Sequence, residues 1–119
     1  MKKPLFLLCA LALTMTAHAS GDKAAGEAVW KRVNCASCHG ADAKSPIDPT
    51  YPKLAGQHYT YLVAALRQYQ RGMAPASSGI APVRKTPVMG AMSTQLSGKE
   101  IQDVAAYLAS LTGDLSVHK

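Results

Sequence analysis

The sequence predicts an all-α fold, with three main helices and long loops packed around one covalently bound group. Three observations carry that expectation. Apolar residues recur at helical spacing in three stretches, and strand-like alternation persists nowhere. Two loop-like segments contain several prolines, and one of them, Gly72 to Ser93, is too long for a small domain unless something besides side-chain packing orders it. Between the first helix and the first loop stands Cys35-Ala36-Ser37-Cys38-His39.

The 119 residues allow one domain. Lys2 and Lys3, an apolar run from Leu5 to Met15, and Ala17-His18-Ala19 make a secretory signal peptide, with cleavage expected between Ala19 and Ser20. The run is well short of the roughly 20 residues that a spanning helix needs. Leu8, just before Cys9, is too large for a lipobox. Residues 1–19 are therefore expected to be removed, leaving 20–119 as an exported, periplasmic domain. Loss of Lys2 and Lys3 leaves eleven basic residues against seven acidic ones, a balance of +4. Cys35 and Cys38 become the remaining thiols. A chain of that size buries a modest core, so a staple or cofactor adds much.

The first helix is expected from Asp22 to Asn34, where Ala25, Val29 and Val33 recur at i, i+4, i+8 beside Trp30. The Cys-x-x-Cys-His motif follows it directly. A redox disulfide normally sits at a helix N-terminus after a strand, and no strand is in view. Zinc wants four ligands, and His58 and His118 lack the spacing. A structural disulfide across two residues closes too small a loop to stabilise much. Covalent haem attachment accounts for every position. The two thiols add across the haem vinyl groups, and His39 falls beneath the iron as proximal ligand.

Ala41 to Pro52, with Pro46, Pro49 and Pro52, reads as a loop. The second helix is expected from Gln57 to Arg71, with Leu62, Ala65, Leu66 and Tyr69 on one face and Gly72 as its C-terminal cap. Gly72 to Ser93 reads as a second loop, containing Pro75, Pro82 and Pro87. The third helix opens at Ser97, where serine and Glu100 form a capping box. It carries Ile101, Val104, Ala105, Leu108 and Leu111, and is expected to run to Gly113.

The second iron ligand separates an electron carrier from an open, reactive haem. Candidates are His58, His118, Met73, Met89 and Met92. His118 is next to last in the chain, and His58 has the ordinary reading of an exposed first-turn residue. Met73 follows Gly72 closely. Met89 and Met92 lie in the loop before the last helix, where soft thioethers favour ferrous iron.

The order Cys-x-x-Cys-His, proline loop, middle helix, methionine loop and aromatic-bearing last helix resembles class I cytochromes c. More narrowly, "CASCHG", "YPKLAGQHYTYLVAALRQYQRG" and "RKTPVMGAMSTQLSGKEIQDVAAYLASL" are similar to one haem domain of the bacterial cytochrome c4 / c553 group. The resemblance implies the class I cytochrome c fold and one covalent haem c. It also implies an axial methionine seven residues before the Leu of "LS", which is Met89 when counted from Leu96. Met92 then becomes a haem-edge or loop-packing residue. It further implies that the Pro52 carbonyl accepts from His39 Nδ1–H, and that the first and last helices cross at Gly26 with Trp30 and Tyr107 as aromatic partners. Cytochrome c4 proper carries two such domains, and this sequence has one motif.

The expected function is that of a mono-haem electron carrier rather than an enzyme. Family partners are a quinol-oxidising complex or other reductase as donor, and a terminal oxidase or reductase as acceptor. Nucleic acid and a stable membrane anchor are not expected, and a monomer is. The basic excess reads equally as solubility or as docking to acidic partners, through residues such as Lys31, Lys44, Lys53, Arg84 and Lys85. The rival readings are a peroxidase-like or gas-binding haem protein with an open sixth position, or a haem subunit of a larger oxidoreductase.

Overall fold

A computed structural model describes residues 21–75 and 81–116. The expected leader over residues 1–19 and His118 lie outside the described residues. Among these, the regular elements are all helical: α1 (Lys23–Arg32), α2 (Ala36–His39), α3 (Tyr59–Met73), α4 (Pro87–Thr94) and α5 (Gly98–Ser110).

Asp22 caps α1 by accepting from Ala25 N at 2.8 Å. The helix stops two residues sooner than its periodicity suggests. Asn34 takes φ 58°, and Asn34 N and Cys35 N donate back to Lys31 O and Trp30 O. That is a Schellman cap with asparagine in the left-handed position that glycine usually fills. It turns the chain sharply into α2, a single helical turn made of the cysteine motif.

The α1–α5 crossing forms one wall of the core. Gly26 sits where a Cβ would collide with Asp103 O, so glycine lets the two backbones touch. Trp30 and Tyr107 meet beside it, ring centroids 6.2 Å apart and tilted by 53°. Buried Asp103 ties both helices together. It accepts from Asp22 N at 2.8 Å and from Lys99 Nζ at 2.7 Å. Burial alone would raise the Asp103 carboxyl, but the Lys99 and Asp22 hydrogen bonds outweigh it and hold the group below its ordinary range. The α5 N-terminus has the expected capping box: Ser97 Oγ accepts from Glu100 N, and Glu100 Oε2 accepts from Ser97 N at 2.8 Å. That helix ends at Ser110, short of Gly113.

Two expectations need correction. Gly72 does not end the second helix; α3 runs on through Met73. Glycine is needed there because a Cβ would strike Arg84 O, where the chain returns across the helix. Nor is the whole of 72–93 a loop. Pro87 occupies the first turn of α4, where a missing N–H costs nothing and the fixed φ is already helical. Met89 and Met92 thus stand on a helix, not in a flexible loop.

Loop 41–56 is held partly by its own backbone. Ala43 O, fully buried, accepts from Leu54 N and Ala55 N at 2.7 and 2.9 Å. Gly56 N then donates to Leu108 O at 2.9 Å and fastens the loop to α5.

Candidate functional site

The helices enclose a cavity of about 450 Å³, within the range of small-molecule and cofactor sites. Trp30 of α1, Val33 just after it, Leu66 and Tyr69 of α3, and Val104 and Leu108 of α5 form its mostly apolar wall. Cys35, Cys38, His39, Pro52, Met89 and Met92 also line it, so α2, the proline loop and α4 converge on one space. A second cavity of about 150 Å³ is lined by His39 and Met89 but by neither cysteine.

His39 is buried, 5% exposed. Its Nδ1 stands 2.9 Å from Pro52 O, so the protonated nitrogen donates to that carbonyl and Nε2 keeps its lone pair. Trp30 and Tyr51 flank the ring at centroid distances of 6.4 and 6.3 Å. Cys35 and Cys38 are not joined in a disulfide. Burial pushes the Cys35 thiol above its ordinary value, although nearby Arg32 pulls the other way.

The sixth-ligand candidates separate in space. Met73 lines neither cavity; its sulfur lies where a Cβ on Gly90 would be, so it packs α3 on α4. His58 is exposed at the start of α3. Met92 lines the large cavity alone, and its sulfur accepts from Gln95 Nε2 at 3.6 Å. Met89 borders both cavities with His39.

Sequence reasoning missed Gln70. Its Nε2 donates to Ser93 O and Leu96 O, each at 2.8 Å, and so clamps the exit of α4 onto α3. Ser93, fully buried, donates from Oγ to Gly90 O at 2.9 Å and stiffens the same turn. Both partners of Gln70 are main-chain carbonyls, which leave no complementary residue type to find in a sequence.

The cytochrome c family profile matches residues 23–112. The chain belongs to the cytochrome c family. It is 41% identical over 110 residues to cytochrome c4 of Stutzerimonas stutzeri, a match covering 92% of this chain and 50% of that protein. Cytochrome c-554(548) of Halomonas halodenitrificans is 36% identical over 91 residues, 76% of this chain and 98% of its own length. The crystal structure of reduced recombinant cytochrome c4 from Pseudomonas stutzeri has a TM-score of 0.65 at 37% identity, covering 79% of this chain and 47% of that one. These likenesses are those of a class I cytochrome c of the c4 group. The chain spans about half the length of the cytochrome c4 relatives it matches.

The lining suits haem c: two thiols at fixed spacing, a tautomer-locked imidazole, thioethers and an apolar wall. As a cytochrome c, the protein carries one covalently attached haem c, and Cys35 and Cys38 fit its attachment motif.

Proposed function

We propose that this cytochrome c is a periplasmic one-electron carrier of a respiratory chain, cut from its leader near Ala19 and Ser20. Cys35 and Cys38 would form the two thioethers, with His39 and Met89 as axial ligands. The observation that carries the reading is the joint position of His39 and Met89 on both cavities, with His39 Nδ1 held by Pro52 O.

Haem c supplies a one-electron iron couple when bound. The chain's own residues hold that couple in place. Pro52 O orients the imidazole and raises its basicity, while the Met89 thioether, a weak soft donor, favours the ferrous state. Gln70 keeps α4, and with it Met89, from shifting between oxidation states. The apolar wall from Trp30 to Leu108 excludes water, so little solvent reorganises when charge changes.

The proposed donor is a quinol-oxidising complex or another reductase, and the proposed acceptor a terminal oxidase or reductase. A relative from Stutzerimonas stutzeri, 33% identical over 111 residues and matched over 47% of its length, is named a thiosulfate dehydrogenase electron acceptor. That name supports a carrier receiving electrons from a dehydrogenase. Among the described residues no helix is long and apolar enough to cross a membrane, in keeping with a carrier that docks and leaves. The ferric spectrum tests the reading: a weak near-infrared red band from methionine on iron is expected. A high-spin spectrum that takes up cyanide at once would favour the peroxidase-like or gas-binding alternative.

A further inference from the structure

We infer that Met73 is an oxidation site that governs the hold on Met89: a hydroperoxide converts its thioether to the sulfoxide and loosens the first turn of α4. The inference rests on the reading of Met89 as an axial ligand.

Met73, Met89 and Met92 are the methionines among the described residues. Met89 and Met92 are partly buried and line the large cavity. Met73 is 49% exposed and lines neither cavity, so an oxidant in solution reaches its sulfur first. The side chain nonetheless has a structural seat. A Cβ on Gly90 would fall 2.5 Å from Met73 Sδ and 2.7 Å from its Cγ. The thioether therefore rests on the bare backbone of a buried glycine, the residue next to Met89.

This end of α4 lacks the usual fastenings. Thr86 at its N-cap makes no side-chain capping bond, and Pro87 supplies no N–H. Gly90 N donates to Thr86 O at 2.8 Å, a bond inside the same turn that ties it to nothing else. Gln70 clamps Ser93 O and Leu96 O, which belong to the opposite end of the helix. Met73 is the α3 side chain that meets α4 beside the proposed ligand.

One peroxide balances the step. A lone pair on Met73 Sδ takes one peroxide oxygen as the O–O bond breaks, and the other oxygen leaves as water. Sulfur loses two electrons and the peroxide gains two. The product is polar and larger by one oxygen, against a backbone that the sulfur already touches. Hydration draws the sulfoxide off Gly90 into water, and the first turn of α4 loses its support. Cys35 and Cys38 keep their thioethers, while Met89 withdraws and the reduction potential falls.

The test treats haem-loaded wild type and Met73→Leu briefly with hydrogen peroxide, and maps oxidised methionines by peptide mass. Leucine keeps the apolar volume but cannot take the oxygen. The wild type should gain one oxygen on Met73 and lose much of its near-infrared band. Once reduced, it should bind carbon monoxide about tenfold faster, the effect of about 1.4 kcal/mol lost from the hold on Met89. Met73→Leu should keep its band and its slow binding through the same treatment. Met73→Gln, polar and of similar length, should show the opened state untreated. The two methionine sulfoxide reductases should restore the treated wild type. Equal opening of treated wild type and Met73→Leu would overturn the inference and place the damage on Met89 or Met92. So would Met73 sulfoxide that leaves the band and the binding rate unchanged, or a Met73 that stays unoxidised while its neighbours react. If Met73→Leu fails to accumulate, the wild type decides alone. Opening must then rise with the Met73 sulfoxide fraction and fall with its reduction, and opening that follows oxidised Met89 overturns the inference. Failure of the ligand reading would look different: the untreated wild type would already lack the near-infrared band.

Discussion

His39 is fixed by a main-chain atom, and that decides which substitutions touch the iron. Because the Pro52 carbonyl is the acceptor, Pro52→Ala should keep the bond and leave the ferric spectrum close to wild type. Its cost should come through added freedom of the unfolded chain, under about 1 kcal/mol in thermal unfolding. A strongly altered spectrum would mean that the ring of Pro52, not its carbonyl, positions the histidine. Met89 is the opposite case, because its side chain is the proposed ligand. Met89→Ala should open the sixth position, lower the reduction potential and admit carbon monoxide readily. Met92→Ala should alter the visible spectrum only slightly, and the reverse result would exchange the two roles. The residues that meet haem chemistry directly were legible because few side chains have thiol, imidazole or thioether groups. Gln70 was not, since an amide that bonds only to carbonyls carries no signature of its partner.

The helices divide into those announced by local chemistry and those formed by their surroundings. The last helix declares itself through its capping box, and Ser97→Ala should cost about 1 kcal/mol in denaturant unfolding. An unchanged midpoint would mean that Glu100 alone holds the terminus. The helix carrying the methionines hid behind its proline. Pro87 reads as a breaker when placed after a helix and as a starter when placed before one, and eight residues give too short a period to choose. Gly72 misled for a related reason: a glycine needed for close backbone approach looks the same in sequence as one needed for positive φ. Asp103 joins the first and last helices, and its effect should depend on pH. Its folded carboxyl titrates below the ordinary value, so its contribution is present above about pH 4 and fades as pH falls through the depressed folded value. Asp103→Asn should cost about 2 kcal/mol at neutral pH and much less in acid. An equal loss at both pH values would assign the effect to shape rather than charge.

At the scale of the molecule, charge is unevenly placed. All seven carboxylates stand before residue 49 or after residue 99. Lys31 and Lys53, first counted as docking charges, sit 2.7 Å from Glu27 and 2.6 Å from Asp114, so their fields are largely offset. The excess lies instead on Arg67 and Arg71 of α3 and on Arg84 and Lys85 packed beside its end. Electron-transfer rates with an acidic partner should fall steadily from low to moderate salt, since screening shortens to about 8 Å at physiological ionic strength. Arg67→Ala with Lys85→Ala should flatten that dependence more than Lys31→Ala with Lys53→Ala. Equal slopes would remove this face from docking. Because like charges gather on one side, the protein is also a permanent electric dipole. An encounter need not wait for random tumbling: the field of a distant acidic surface turns the molecule before contact, as a field turns a compass needle. A negatively charged electrode should therefore adsorb it in one preferred orientation, and polarised spectra of such a film would show the haem plane aligned rather than averaged.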